Sequence, residues 1–245
     1  MNYRPNPLAG LPPVTKNLLI INALFLLATW VLQTTFGVDL SRYLGLHLPM
    51  SERFHPAQFG TYMFMHGGFM HLFFNMFAVF MFGRILETYW GSKKFFLYYV
   101  ITGIGAGVIH LITSYINYQV IAAQMSPEQI SIVFEQGAAA LDQYKNFTDP
   151  LMGKLNVALN GTTVGASGAV FGILLAFGML FPNTELMLLF PPIPIKAKYF
   201  VIIYGVAELF MGVANFSFDN VAHWAHLGGM IFGFILIKYW QKKGI

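Results

Sequence analysis

Apolar runs long enough to cross a lipid bilayer recur along this chain, and they leave it few ways to fold. A hydrocarbon core of roughly 30 Å asks for about 20 apolar residues per helix. Six segments are candidates for such spans: roughly Leu18–Phe36, Thr61–Phe82, Phe95–Tyr115, Ser167–Phe181, Tyr199–Ala214 and Val221–Ile237. In lipid every backbone N–H and C=O must find its partner inside the protein, so these segments are read as helices. The expected fold is an all-α membrane protein, a bundle of six transmembrane helices. Only 10% of the 245 residues are charged, against about 25% in soluble domains, so a water-soluble reading fails. The first run is too long for the core of a cleavable signal peptide and lacks a small-x-small exit.

Charge sets the orientation. Six spans put both termini on one side. With the N-terminus inside, the inner segments hold Arg4, Lys16, Arg84, Lys93, Lys94, Lys196, Lys198, Lys238, Lys242 and Lys243, and the outer ones only Arg42, Arg53, Lys145 and Lys154. This positive-inside asymmetry accounts for the net charge of +4, and no nucleic-acid partner is expected. Residues 1–16 read as a short cytosolic segment, 17–240 as the membrane domain and 241–245 as a cytosolic tail. A compact chain with short termini and no targeting extension fits a bacterial cytoplasmic membrane best. Cysteine is absent, which excludes disulfides and cysteine metal sites.

Two outer segments stand out. Gly37–Gly60 alternates polar and apolar groups and reads as lying in the interface, with His47 and His55 interfacial. Residues 117–164 form a long polar insertion. Within it "SPEQISIVFEQGAAALDQY" predicts an amphipathic helix with Ser126 as N-cap, Pro127 at the first helical position and Glu128 in the first turn. The inner stretch "LMLLFPPIPIKAK" is apolar but broken by prolines, and reads as an interfacial loop.

The fourth span is short. Ser167 to Phe181, before Pro182, covers about 20 Å at 1.5 Å per residue. If its Pro182 end reaches the inner interface, Ser167 starts the helix inside the membrane, roughly 10 Å below the outer surface. The irregular approach "NGTTVGA" must then dip into the bilayer, which is tolerated only where backbone is buried in protein or lines a wet cavity. Spans two, four and six all run from outside to inside. Span two brings His66, His71 and Asn75 to the outer half, and span six brings His223 and His226. Ionisable residues inside spans raise a functional hypothesis by default. His71 and Asn75, four apart, share a helix face.

These residue types suit acyl transfer. A serine hydroxyl is a weak nucleophile until a base takes its proton, and His226 is the candidate base for Ser167. The Asn75 amide, the His71 ring N–H and the Ser167 backbone N–H are candidate oxyanion donors. The N-terminal end of a helix adds unpaired N–H groups and a positive dipole. No aspartate is placed as a third member, because Asp219 lies near or above the mouth of span six. A Ser–His dyad is therefore expected, with packing orienting the imidazole.

Three segments, "HGGFMHLFFN" (His66–Asn75), "GASGAVFG" (Gly165–Gly172) and "AHLGGMIFG" (Ala225–Gly233), resemble the signatures of the rhomboid family of intramembrane serine proteases. "GRILETYWGSKKFFLYY" (Gly83–Tyr99) resembles the family's turn between spans two and three. The resemblance covers about Gly60 to Gly233. It implies Ser167 as nucleophile, His226 as general base, and His71 and Asn75 at the oxyanion site. It implies that Phe171 packs on the His226 ring, and that substrates are transmembrane proteins with helix-breaking residues near the cleaved bond. Substrate would enter past the fifth span and the loop before the sixth. No metal or cofactor is implied. The long 117–164 insertion departs from compact bacterial members.

Blander readings stand beside these. Gly165-Ala166-Ser167-Gly168 alone would fit a small-residue packing patch, and Gly229 with Gly233 would let span six approach span four. His66 reads as a hydrogen-bonding strut for the first outer loop, and His223 as structural or lining. His110 and Glu208 read as buried hydrogen-bonding groups. A metal on His66, His71 and His226 is disfavoured, because Asn75 suits an oxyanion better than zinc. The alternative to an enzyme is a non-catalytic rhomboid-like protein that binds membrane clients. A channel or transporter would need a continuous polar path, whereas the polar groups cluster in the outer half.

Overall fold

The computed structural model describes residues 10–187, 192–214 and 221–244. Asp219 lies outside the described residues. The chain runs α1 (Pro13–Phe36), α2 (Ser41–Leu44), α3 (Gln58–Thr61), α4 (Phe69–Ala78), a π-helical turn (Val79–Gly83), α5 (Arg84–Trp90), α6 (Ser92–Ala122), α7 (Pro127–Asp142), α8 (Pro150–Asn160), α9 (Ser167–Leu180), strands β1 (Glu185–Met187) and β2 (Pro194–Lys196), α10 (Ala197–Ala214) and α11 (His223–Lys243). Among the described residues four helical runs are long and apolar enough to cross a bilayer: α1, Phe69–Trp90, α6 and α10. The other two spans are the 14-residue α9 and the 21-residue α11, whose last turn carries Lys242 and Lys243.

α9 is the centre of the bundle, packed between α6 and α11. Apart from Ser167, Leu175, Met179 and Leu180 its residues are buried. Small residues make the approach possible. A Cβ at Gly229 would fall on the Gly168 carbonyl, and one at Gly172 would meet Thr102 at 2.7 Å. Gly233 differs from expectation, because its contact is the Tyr98 hydroxyl of α6 rather than α9. α1 begins at Pro13 with no local side-chain cap. Its free N–H groups are met from afar by Glu87, whose carboxylate accepts from Val14 N–H (2.9 Å), Thr15 N–H (2.7 Å) and the Thr15 hydroxyl (2.8 Å).

The insertion is ordered. α7 starts with the expected cap, completed as a capping box by Gln129. α8 follows, capped by Asp149 with Pro150 at its first position. Both helices lie against the segment between α1 and α4. Arg42 and Arg53 converge on Asp142 (3.1 and 2.7 Å), and the Ser51 hydroxyl donates to Asn160 (3.0 Å). His47 is fully buried within the protein, with Nδ1 3.0 Å from the Gly45 carbonyl and Nε2 2.9 Å from the Thr162 hydroxyl. Of the proline-broken segment read as a loop, residues 188–191 lie outside the described residues, and strands stand on either side of them. β1 and β2 pair antiparallel there, with Leu186 opposite Ile195.

Candidate active site

The approach to α9 is fixed before it reaches Ser167. Thr163 and Leu46 exchange backbone hydrogen bonds (2.8 and 2.9 Å), and the Gly165 N–H donates to the Tyr62 carbonyl (3.0 Å). The side chains of this approach are held too: the Thr162 hydroxyl bonds His47, and the Thr163 hydroxyl lies 2.6 Å from Nε2 of His110. Non-helical backbone is thereby satisfied next to the bundle core, as a membrane interior demands. Gly165 stands at φ +130°, a conformation that disfavours side chains, and a Cβ there would lie 2.8 Å from His71 Nε2 and 3.6 Å from the Ser167 hydroxyl oxygen. One glycine therefore lets the His71 ring and Ser167 share a corner.

Ser167 is the first residue of α9. The helix ladder opens with Val170 N–H to the Ala166 carbonyl (3.0 Å), so the N–H groups of Ser167, Gly168 and Ala169 stand outside it. His226, buried on α11, brings Nε2 to 2.8 Å from Ser167 Oγ across 59 residues of sequence. Phe171 lies one turn along α9 from Ser167, and its ring is parallel to the imidazole, 4.2 Å between centroids and 9° between planes. Gly168 and Gly229 form the backbone crossing that sets this separation.

On α4 the Asn75 amide donates to the His71 carbonyl of its own helix (3.0 Å), and Gly67 N–H reaches His71 Nδ1 at a long 3.4 Å. That contact leaves the proton of a neutral His71 on Nε2, the nitrogen beside Gly165. His66 is buried edge-on against His71, 5.0 Å between ring centroids. Neither His66 nitrogen makes a hydrogen bond of good geometry among the described residues.

The site holds one group for which no position was foreseen. Glu208 of α10 places Oε2 2.8 Å from His226 Nδ1 and 2.6 Å from His223 Nδ1. The available signal was a carboxylate in an apolar span, with nothing in the chain to say which neighbour it faces. Glu208, His223 and His226 are also three potential metal ligands, with donor atoms within 4.8 Å of one another. A metal would have to displace both hydrogen bonds, and zinc would need a further ligand or water to complete four-coordination.

The Rhomboid domain family profile matches residues 53–242. Rhomboid protein 1, mitochondrial, of Saccharomyces cerevisiae is 28% identical over 182 residues, 74% of this chain and 41% of its own length. The Bacillus subtilis rhomboid protein YdcA is 28% identical over 176 residues, 72% of this chain and 63% of its own. Rhomboid-like protein 11, chloroplastic, of Arabidopsis thaliana is 22% identical over 224 residues, 87% of this chain and 65% of its own. The chain thus spans less than two thirds of the length of each of these relatives.

Proposed function

This chain belongs to the rhomboid family and is a multi-pass membrane protein, and from that premise we propose that it is an intramembrane serine endopeptidase acting on transmembrane proteins. The observation that carries the reading is the 2.8 Å approach of His226 Nε2 to the Ser167 hydroxyl. Nucleophile and base within hydrogen-bond reach is the geometry covalent catalysis needs.

The steps follow from that pair. The Ser167 oxygen attacks the scissile carbonyl carbon while its proton passes to His226 Nε2. The negative charge formed on the carbonyl oxygen is met by the Ser167 N–H, the His71 Nε2–H and the second N–H of the Asn75 amide. The C–N bond then breaks as His226 gives its proton to the leaving amine. Water attacks the acyl carbonyl and loses a proton to His226; the ester bond to Ser167 then breaks as His226 returns that proton to the serine oxygen, and the carboxylic acid leaves. The N–H groups at the head of α9 that stand outside its ladder support the oxyanion role, and the Phe171 stack supports a fixed imidazole plane.

The charge distribution supports cytosolic termini, the domain division at residues 16 and 240, and a site opening to the opposite side, as in a bacterial cytoplasmic membrane. Purified protein in liposomes, together with a single-span substrate bearing helix-breaking residues near its outer end, tests the reading. Cleavage should vanish in Ser167→Ala and His226→Ala, and Asn75→Ala should lose about 10²–10³-fold in turnover, the worth of one oxyanion donor. Undiminished cleavage by the Ser167→Ala protein would sink the mechanism.

A further inference from the structure

The Ser–His chemistry above leaves Glu208 without a role, although its carboxylate touches the base. Resting on the reading of Ser167 as nucleophile, we propose that Glu208 is a positioning residue that completes a Ser167–His226–Glu208 relay, holding His226 in the tautomer that accepts the serine proton.

A neutral imidazole carries one proton. To act as base, His226 must present the Nε2 lone pair to Ser167 and keep its proton on Nδ1. Nothing in the Phe171 stack enforces this, because a ring face restrains the imidazole plane but does not distinguish its tautomers. A carboxylate does, since it offers only acceptors: Oε2 at 2.8 Å selects the Nδ1–H form. The same negative charge stabilises the imidazolium formed when the serine proton arrives. Packing alone was expected to orient this ring, and the structure supplies a carboxylate for the task.

The second contact fixes the carboxylate in turn. His223 and His226 are three apart on one face of α11, and both Nδ1 atoms point at the same oxygen of Glu208, from 2.6 and 2.8 Å. An ionised carboxylate accepts both N–H groups at once. The other titratable groups that act on His226 are His71 from α4 and His110 from α6, and neither carries negative charge. Glu208 is thus the anion of the site among the described residues. It is delivered by α10, whose buried residues Ala197 and Val201 sit at the opposite end, while Val206, Leu209, Phe210 and Val213 around it are exposed. The relay therefore also ties the outer half of α10 to α11, and displacing α10 would take the carboxylate from the base.

The test uses the full chain in detergent, with two readouts. One is the rate of fluorophosphonate labelling at Ser167. The other is nitrogen NMR of isotopically labelled histidine, which reports the tautomer of His226 directly. Glu208→Gln keeps the side chain's shape but loses its charge and offers an N–H as readily as an acceptor. Its labelling rate should fall about 10²–10⁴-fold, the range for losing a triad carboxylate. Glu208→Asp should recover part of that loss, and the Nδ1–H signal of His226 should weaken in Gln and persist in Asp. Wild-type labelling with Glu208→Gln within about threefold of it, and an unchanged tautomer, would overturn the relay and leave the Ser167–His226 reading standing. A Gln variant that only melts earlier, with its folded fraction labelling normally, would also overturn it. Absence of wild-type labelling at Ser167 would overturn the nucleophile reading, and the relay with it.

Discussion

His226 uses three parts of one ring at once: Nε2 toward Ser167, Nδ1 toward Glu208 and a face against Phe171. The first and third of these rest on residues that motifs mark in the sequence, because motif spacing within one helix survives folding unchanged. The second was not legible. Glu208 is 18 residues from His226 on a different helix, and the rotation of α10 about its own axis is set by packing that no local pattern encodes. The burial of His47 was not legible for a similar reason, since its partner Thr162 is 115 residues away. Burial lowers the pKa of His47 from its ordinary 6.5, and the Arg53 guanidinium adds to this against the opposing bonds to Gln58 and Gly45. The unfolded chain then binds the proton more readily than the folded one. The stabilisation is complete above pH 6.5 and is lost as pH falls below it. Hydrogen-exchange protection of the Leu46 and Thr163 amides, corrected for intrinsic rates, should drop on that acid side. Equal protection on both sides would contradict the assignment.

Helix starts were legible where capping chemistry is local. Ser126-Pro127-Glu128 begins α7 as the sequence indicates, and Asp149-Pro150 carries the same kind of signal for α8, which went unread inside a segment treated as one polar insertion. The pairing of β1 with β2 was hidden because the prolines argued for a loop, yet Pro194 occupies the first position of β2, where a missing N–H is tolerated. The start of the second span was placed too early: the chain from Thr61 to Gly68 turns in short pieces before α4 begins at Phe69. α1 shows the limit most clearly, since its cap is a carboxylate 73 residues away. Glu87→Ala removes an acceptor serving three donors of Val14 and Thr15 and leaves them buried or part-buried. Charge-assisted bonds of this kind are worth about 1.5–3 kcal/mol each, and a loss of at least about 2 kcal/mol is expected in thermal or denaturant unfolding in micelles. A change within about 0.5 kcal/mol would mean that α1 is held by packing alone.

Seen as a whole, the molecule is a shell of long apolar helices around one short helix that is buried almost throughout. α1 and α10 expose most of their apolar surface, as lipid-facing spans do, while α9 is enclosed by α6 and α11. That the long apolar runs form spans and that the fourth is short was legible from run length, because the bilayer sets the length; which helices enclose it was not. The packing of the insertion over the segment between α1 and α4, through Arg42, Arg53 and Asp142, was not legible either, because surface ion pairs have no sequence period. The effect of this architecture is to hold a serine, a histidine and their supports at the head of the enclosed helix. Mass-spectrometric mapping of the residue modified by a fluorophosphonate, in wild type beside Ser167→Ala and His226→Ala, asks whether that serine is activated. Adduct on Ser167 in the wild type, and none in either variant, is the expected result. A folded wild-type protein that carries no adduct, or an adduct on Ser167 that persists at the same rate in His226→Ala, would contradict it.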